Sequence, residues 1–425
     1  MTLRKTTISS FVLATLAVAL NLIGVVATAH ATPDARLKAA AEQAQSAVID
    51  SLRDMVMIES GSSDVAGLAK MAAFTEARLQ AMGAKTERVK SSSGVGADIV
   101  VGRFEGTGKK RVMLMAHMDT VYQPGILSSQ PYRTDGNRIY GPGIADDKGG
   151  IAVILHSLKI LHDAGWRDFA TLTVVFNADE EVGSTGSGEL IANLADQNDV
   201  VLSCEPTAAK SVAKTESLLL GASGTATATM SVKGRASHAG ASPDLGRNAL
   251  IELSHQLLQT RDIAETIPGA QLNWTVSKAG LVRNQIPENA EATGDVRTTQ
   301  NGAAEKLQAA LQTKVNASTL VPDTVTTITM LIGRPSFVAS DKGRALAIQA
   351  QAIYAELDGR SLHLVPISGG ATDAGYAGRS GKATVVESFG LAGFGYHAKD
   401  EYIEVDSIVP RLYLMTRLLT EIGKQ

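Results

Sequence analysis

The first region with a regular hydrophobic pattern runs from Pro33 to about Glu59. Apolar side chains recur there at steps of three and four, and most residues between them favour helix. These apolar positions are Ala41, Ala44, Val48, Leu52 and Met55. The pattern predicts an amphipathic helix with one face directed toward a core.

Downstream, short β-rich runs alternate with helical stretches as far as about residue 223. Strands are predicted at 98–104, 111–116, 171–177 and 200–204, and helices at 149–162 and 186–194. This alternation is typical of an α/β fold built on a largely parallel sheet. Ligands of such sheets bind beyond the carboxyl ends of the strands, so side chains at those ends are the first candidates for chemistry.

The pattern changes between residues 224 and 332, where it is typical of a compact α+β unit. Strands are predicted there at 225–232, 271–281, 291–298 and 324–332, and helices at 248–260 and 303–314. The earlier alternation returns after Gly333, with helices at 342–356 and 407–422. We therefore expect a catalytic domain in two parts, 32–223 and 333–425, interrupted by a smaller domain, 224–332.

Residues 1–31 have the layout of a secretory signal peptide. Two basic residues precede an apolar run, Phe11–Ala29, which closes with small residues at Ala29 and Ala31. A permanent membrane anchor is the alternative, but Asn21 and Gly24 interrupt the run. Cleavage after Ala31 would leave a periplasmic or secreted protein with no membrane attachment.

Composition narrows the partners that such a protein can have. The formal net charge is −3 at pH 7, so no basic surface for nucleic acid is indicated. Cys204 is the only cysteine, which excludes an intrachain disulfide even in an oxidising compartment. We interpret it as a buried strand residue. Small anionic or neutral solutes are the expected partners.

Histidine and acidic residues follow the predicted strands. His117 and Asp119 come directly after the strand 111–116, and Asp146 and Asp147 lie in a glycine-rich loop before the next helix. Two adjacent acids in so constrained a loop suggest a cation site. The alternative is a helix N-terminus, at which acids cap free amides. Taken alone, the loop does not separate these two interpretations.

More such residues follow later strands. Glu180 and Glu181 come after the strand that ends at Asn177, Glu205 directly follows the next strand, and His397 lies on a second glycine-rich loop. Runs of acids are usually solvated loops. That interpretation does not explain why each acid falls at a strand end, where the binding site of this kind of sheet is expected.

The order and spacing of these motifs resemble the zinc aminoacylase and carboxypeptidase family, most nearly its glutamate carboxypeptidases of the carboxypeptidase G type. The resemblance covers essentially the whole mature chain. Its segments are His117-Met118-Asp119, the loop around Asp146, Glu180-Glu181, Glu205, Ser237-His238-Ala239 and His397. It implies a zinc-exopeptidase-like catalytic domain with a mixed sheet, interrupted by a smaller α+β domain that acts as a lid and forms a homodimer.

The resemblance also implies two Zn²⁺ ions per chain. In that assignment Asp146 bridges the metals, His117 and Glu205 hold one zinc, and Glu181 and His397 hold the other. Imidazole nitrogens and carboxylate oxygens suit zinc, whereas all-oxygen sites suggest calcium or magnesium. Co²⁺ or Mn²⁺ can occupy similar ligands.

Three further residues complete the implied catalytic apparatus. Asp119 accepts a hydrogen bond from the metal-binding histidine and orients its ring. Glu180 is the general base, because the neighbouring glutamate is committed to metal. His238, in the inserted domain, donates to the developing oxyanion.

The implied substrate-binding residues lie near the terminal carboxylate of the substrate. They are Asn284 and Arg297 in the inserted domain, and Gly369 and Gly370 in the catalytic domain. A guanidinium fork is well suited to a carboxylate. The expected substrate is therefore a small acyl amino acid or a peptide.

The chain departs from glutamate-selective relatives in one place. A basic residue is expected just before the strand that leaves the catalytic domain, where the sequence reads Thr215-Glu216-Ser217. Lys210 and Lys214 are both offset from that position. We expect a hydrolase that cleaves an amide bond to a C-terminal amino acid with a free carboxylate, in N-acyl-glutamate or folate-type substrates. A general N-acyl amino acid amidohydrolase and a dipeptidase remain alternatives.

A protein of a different class is also consistent with an exported chain of two domains. A non-catalytic periplasmic solute-binding protein closes around a ligand in a similar way. Such a protein would have no use for a base such as Glu180, whereas a hydrolase that loses it would keep its metal and stop turning over.

Overall fold

The computed structural model describes residues 32–93, 97–357 and 359–425. The predicted signal peptide, 1–31, lies outside the described residues. In the part of the chain that is described, no helix is both long and apolar enough to cross a membrane.

The predicted helices and strands are all found, with ends shifted by a few residues. The helices are α1 (Ala35–Val56), α2 (Val65–Ala81), α3 (Lys148–Asp163), α4 (Gly188–Ala195), α5 (Lys210–Ala213), α6 (Ala249–Thr260), α7 (Ala303–Ala317), α8 (Asp341–Ala355), α9 (Ala374–Gly378) and α10 (Ile408–Gly423). The strands of the first part are β1 (Lys85–Val89), β2 (Ile99–Glu105), β3 (Arg111–His117), β4 (Arg133–Asp135), β5 (Arg138–Tyr140), β6 (Thr171–Asn177), β7 (Val200–Ser203), β8 (Thr207–Ala208), β9 (Glu216–Leu219) and β10 (Gly221–Ala222). The remaining strands are β11 (Gly224–Lys233), β12 (Ser237–His238), β13 (Ala270–Ala279), β14 (Gln285–Ile286), β15 (Asn289–Thr298), β16 (Val325–Ile332), β17 (Phe337–Val338), β18 (Leu362–Val365), β19 (Thr384–Val386), β20 (Ala392–Phe394) and β21 (Tyr402–Glu404).

A mixed six-stranded sheet forms the centre of the α/β fold, in the order β1-β2-β6-β3-β7-β19. Strands β6, β3, β7 and β19 are parallel, and β2 and β1 extend the sheet in antiparallel fashion. The register pairs His117 with Asn177, and Met115 with Ser203. The carboxyl ends of β3, β6 and β7 therefore meet at one edge of the sheet, as predicted.

The main core lies around this sheet. Strands β3, β6 and β7 are buried over almost their whole length, as expected for parallel strands covered on both faces. Helices α1, α3 and α10 contact one another. In α1 the predicted apolar positions Ala41, Val48, Leu52 and Met55 are buried, and the Asp34 carboxylate caps its N-terminus.

Residues 224–332, hereafter the inserted segment, form a second sheet with its own core. Its strands are antiparallel, in the order β13-β15-β11-β16, and helices α6 and α7 pack against them. Along β11, buried Ala228 and Met230 alternate with the more exposed Thr227 and Ser231, the period of a sheet that has one buried face. The buried residues form a cluster separate from the main core. The domain boundaries remain a prediction, which these two cores support.

Helix α2 has no counterpart among the predicted elements. Its buried face includes the small residues Gly67 and Ala72, which weaken the apolar periodicity. A Cβ atom at Gly67 would lie 1.8 Å from the carbonyl oxygen of Glu59, so only glycine fits this close approach. The structure also contains a five-stranded sheet, β4-β5-β21-β20-β8, whose strands are too short for alternation to reveal them.

Candidate active site

Side chains from several loops meet where the central strands end. The side chains come from the residue that ends β3, the loop before α3, the turn after β6, the second residue after β7 and the loop between β20 and β21. We call the group the acidic cluster, and it consists of His117, Asp146, Glu180, Glu181, Glu205 and His397. The sequence predicted that these residues would lie together, and the structure brings them together.

Asp146 lies between the two histidines. One carboxylate oxygen, Oδ1, is 3.0 Å from Nε2 of His117, and the other, Oδ2, is 3.3 Å from Nε2 of His397. The same nitrogen of His117 lies 3.8 Å from Oε1 of Glu205, and that of His397 lies 3.0 Å from Oε2 of Glu181. The donors therefore form two neighbouring sets that share the Asp146 carboxylate.

These donor sets fit metal ions. Ligands about 2.0–2.2 Å from a tetrahedral zinc lie about 3.3–3.6 Å from one another, which is close to the separations within each set. Atom Oε1 of Glu181 is buried and has no hydrogen-bond partner in the described structure. A buried carboxylate oxygen without a donor is costly unless a cation or a proton neutralises it.

The two adjacent acids of the loop have different roles. Asp147 caps α3, because its Oδ1 accepts from the N–H of Gly150 at 3.1 Å while its Oδ2 accepts from the N–H of His117 at 3.3 Å. Asp146 instead faces the two histidines. Asp147 therefore agrees with the helix-capping interpretation, and Asp146 has the position that the cation-site interpretation expects. Although Asp147 also lies close to His117 and Glu205, both of its oxygens already have backbone donors.

Asp119 is fully buried and supports the turn after β6. Its carboxylate accepts from the N–H groups of Glu180 at 3.0 Å and Glu181 at 3.1 Å, and from the hydroxyl of Ser62 at 2.8 Å. Nδ1 of His117 is 3.3 Å from Oδ1 of Asp119 and 3.0 Å from the carbonyl oxygen of Asp119. The position agrees with the expected orienting role, although the carbonyl is the nearer acceptor for the ring.

Burial and mutual repulsion perturb the ionisation of the cluster. Burial raises the pKa of Glu180, Glu181 and Glu205, and nearby carboxylates raise the pKa of each further. Burial also opposes ionisation of Asp146, but hydrogen bonds from the two histidines hold its pKa far below the usual range. Hydrogen bonds to Asp146 and Glu181 raise the pKa of His397 to about 10. Four carboxyl groups facing two imidazoles make the cluster favourable for cations.

Arg334 is a contact of the cluster that the sequence did not reveal. Its Nη1 lies 2.7 Å from Oε1 of Glu180, and its Nη2 donates to the carbonyl oxygen of the same residue. Its Nε is 3.6 Å from Oδ1 of Asp373. Arg334 follows directly after the inserted segment, between Gly333 and Pro335. The only sign of this contact in the sequence was a basic residue between a glycine and a proline, at the point where the chain returns from the inserted segment to the catalytic part.

The candidates from the inserted segment lie apart from the cluster, with no hydrogen bond or ion pair to it among the described residues. Nδ1 of His238 accepts from the N–H groups of Gly240 at 3.2 Å and Ala241 at 3.0 Å, which places the proton of the neutral ring on Nε2. Asn284 is exposed, and its carbonyl oxygen accepts from Ala239 at 2.9 Å. Nε of Arg297 lies 2.9 Å from Asp295, and both side chains are partly exposed.

The remaining candidates lie on a loop of the catalytic part. Gly369 and Gly370 are exposed, and a Cβ atom at Gly369 would meet no atom within 4 Å. In the segment that departs from glutamate-selective relatives, Glu216 is buried in a network with Arg411, and Lys210 pairs with Asp406 at 2.5 Å. Lys214 is exposed.

Similarity to known proteins agrees with this geometry. Residues 113–421 match the model of peptidase family M20/M25/M40. The chain is 45% identical over 385 residues to carboxypeptidase G2 of Pseudomonas sp. (strain RS-16), covering 90% of this chain and 91% of that protein.

Solved structures show the same fold. A tripeptidase from Staphylococcus aureus superposes with a TM-score of 0.74 and 18% identity, over 90% of this chain and 99% of that chain. An M20 family metallo-carboxypeptidase from Sulfolobus solfataricus gives a TM-score of 0.71 and 16% identity, over 89% of this chain and 99% of that chain.

The chain belongs to peptidase family M20/M25/M40. It is a metal-dependent hydrolase of the carboxypeptidase type, which confirms the expectation of an enzyme over a solute-binding protein. The resemblance stated from the motifs and the expected fold are confirmed as well.

Proposed function

We propose that the protein is a di-zinc carboxypeptidase that cleaves the amide bond between an acyl group and a C-terminal amino acid. N-acyl-glutamate and folate-type compounds are the first substrate class to test, because carboxypeptidase G2 is 45% identical over most of both chains. The observation that carries the proposal is Asp146, with one carboxylate oxygen directed toward each histidine.

In this proposal the donor sets described above hold the metals. His117 and Glu205 would hold one zinc, Glu181 and His397 would hold the other, and Asp146 would offer one carboxylate oxygen to each. Two zinc ions held in this way supply Lewis acidity, which polarises the scissile carbonyl group and lowers the pKa of water. The buried Glu181 oxygen without a hydrogen-bond partner supports the assignment.

Glu180 acts as the general base. It lies in the cluster, its backbone N–H is fixed by Asp119, and its side chain pairs with Arg334 and not with a histidine. It takes a proton from the attacking water and passes it to the leaving amine. Its pairing with a guanidinium keeps the carboxylate oriented before substrate arrives.

Two residues of the inserted segment bind substrate in this proposal. His238, whose proton is held on Nε2 by backbone donors to Nδ1, donates to the oxyanion. Arg297 binds the free carboxylate, with Asn284 and the Gly369-Gly370 loop beside it. These roles require the inserted segment to close toward the cluster as a lid, because no hydrogen bond or ion pair joins His238, Asn284 or Arg297 to the cluster among the described residues.

A second candidate differs in the C-terminal amino acid. Where glutamate-selective relatives carry a basic residue, Glu216 is buried and bonded to Arg411 at 2.8 Å, and the upstream Lys210 is paired with Asp406. The matching position itself carries no basic residue, although the nearby Lys214 is exposed, so a general N-acyl amino acid amidohydrolase or a dipeptidase is the second candidate.

A hydrolysis screen separates these candidates. The C-terminal amino acid is varied under one acyl group, and then the acyl group is varied on the preferred amino acid. Glu180→Gln is the control for contaminating hydrolases. A preference for glutamate supports the first candidate, and similar rates for neutral amino acids support the second. Absence of hydrolysis in fully metal-loaded protein across the whole screen would refute both.

We also propose export and a homodimer. The signal peptide layout of residues 1–31 supports a periplasmic or secreted location, which N-terminal sequencing of the mature protein tests directly. Strand β16 lies at an edge of the second sheet and exposes Val325 and Leu331, which supports pairing of two copies through the inserted segment. Solution scattering with and without a substrate analogue tests both the dimer and the closure, and a strict monomer unaffected by ligand would contradict them.

A further inference from the structure

One buried carboxylate outside the acidic cluster accepts hydrogen bonds from several groups at once. The two oxygens of Glu401 accept from the backbone N–H groups of Gly143 at 2.8 Å, Ala145 at 2.9 Å and Asp146 at 3.0 Å. The hydroxyl of Tyr122 donates to Oε2 at 2.8 Å. Glu401 is therefore fully satisfied, and most of its donors belong to the loop that carries Asp146.

Tyr122 connects this carboxylate to a third loop. Its hydroxyl oxygen also lies 2.9 Å from the carbonyl oxygen of Ala398, the residue after His397. Tyr122 itself lies just beyond Asp119, in the loop that follows β3. Glu401 and Tyr122 thus join the loop that follows His117 to the two loops that carry Asp146 and His397.

We propose that Glu401 and Tyr122, together the loop tie, are positioning residues for the metal centre. Among the described residues they make no hydrogen bond or ion pair with the side chain of a proposed metal ligand, and they act through the backbone of the loops. Their role is to hold the Asp146 carboxylate and the His397 ring at a separation that fits both donor sets. The inference rests on the metal centre proposed above.

The two donor sets depend on the loop tie to different degrees. His117 is buried and lies in the regular ladder of β3, so its position is also fixed by the central sheet. The His397 side chain is about half exposed, at 55%, and lies in a loop with a φ of 60°. The set of Glu181 and His397 is therefore expected to loosen first when the tie is broken.

The chemistry of the tie suggests two variants. Tyr122→Phe removes one hydroxyl and leaves the ring, so both acceptors lose a single donor. Glu401→Gln replaces an oxygen with an NH₂ group, which cannot accept from the backbone N–H groups that face it. Asp400→Asn is the matched control, because Asp400 lies in the same loop as Glu401 but is exposed to solvent. This substitution removes only its ion pair with Arg133, in which the two side chains are 2.8 Å apart. Asparagine also tolerates the φ of 64° found at this position.

The experiment measures metal binding. Full-length proteins are titrated with Zn²⁺ against a chromophoric chelator, and with Co²⁺ while the visible absorption spectrum is recorded. We expect both tie variants to bind one of the two ions about tenfold less tightly, with a changed Co²⁺ spectrum, and to keep the affinity for the other ion. The Asp400→Asn control should match the unmodified protein.

The outcomes separate this inference from the proposed function. If Tyr122→Phe binds both ions as the unmodified protein does, the loop tie is not a positioning device. Equal loss of both ions would also overturn the inference, because the sheet would then not fix His117. Should Glu401→Gln fail to fold, the milder tyrosine variant decides. If the unmodified protein binds fewer than two ions, the proposed metal centre itself is wrong.

Discussion

Two groups of buried charged side chains in the catalytic part of the molecule differ in how far their charges are neutralised by neighbouring residues. In the acidic cluster, four carboxyl groups face two imidazoles, and a buried oxygen of Glu181 has no hydrogen-bond partner in the described structure. In the second group, Glu216 accepts from Arg411 at 2.8 Å and from Tyr354 at 2.6 Å. Arg411 also donates to the carbonyl oxygens of Ser388 at 3.0 Å and Ser217 at 3.3 Å.

The difference shows how a binding site is distinguished from a structural network. Charges that satisfy one another need no external partner, and they hold a fold in one arrangement. Charges of one sign that outnumber the counter-ions around them need an external one, and the rest of the fold must stabilise their close approach. The acidic cluster is of the second kind, and the Glu216 network is of the first.

The largest effect should follow from removing the base. Glu180→Gln is expected to lower kcat by about 10²–10⁴-fold, because the amide cannot take a proton from water. Metal content, measured by elemental analysis, should stay close to that of the unmodified protein. Glu181→Gln is the matched comparison and should weaken one metal site as well. If both variants lose metal equally, the roles of the two glutamates are reversed.

In the Glu216 network, a substitution should lower the stability of the protein and leave metal binding unchanged. Glu216→Gln leaves the Arg411 guanidinium buried without a charged partner, so the free energy of unfolding should fall by about 3–5 kcal/mol. Urea denaturation measures this change. Metal affinity in the folded variant should be unaltered, since the network does not include the cluster. A large loss of metal without a loss of stability would remove the distinction between the two groups.

Removal of metal tests whether the acidic cluster contributes to stability independently of the Glu216 network. With zinc at about a hundred times its dissociation constant, each bound ion should stabilise the folded state by about 2.7 kcal/mol. Chelation should therefore lower the urea midpoint of the unmodified protein and of Glu216→Gln by similar amounts. If metal stabilised only the unmodified protein or only Glu216→Gln, the Glu216 network and the acidic cluster would be energetically coupled.

A partly exposed ion pair gives the smallest expected effect. Arg297→Ala should lower kcat/KM by about tenfold for a substrate with a free carboxylate, the lower end of a charge-assisted contact. With the carboxylate blocked as an amide, the same substitution should have little further effect. Equal losses with both substrates would show that Arg297, through its contact with Asp295, only supports the inserted segment.

The sequence predicted the residues of the acidic cluster because their position depends on local order along the chain. Parallel strands end at the same edge, so a residue at the end of β3 or within two positions after β7 must lie near that edge. Partners that are distant in sequence were not predictable in this way. Arg411 and Glu216 are separated by 195 residues, and no local pattern marks them as a pair. Arg334 and Glu401 were missed for the same reason, because their partners are fixed only by the tertiary fold.

The separate core of the inserted segment affects the order in which the protein can fold as it is synthesised. The inserted segment closes its core from residues between Ala226 and Ile328, so it can be complete as soon as β16 has left the ribosome. The central sheet must wait longer, because β19 and α10 are synthesised last. Until then β7 is an unpaired apolar strand edge, which is a site for aggregation. The nascent chain can therefore carry a folded inserted segment beside an incomplete central sheet, whose exposed β7 edge is a site at which aggregation can begin.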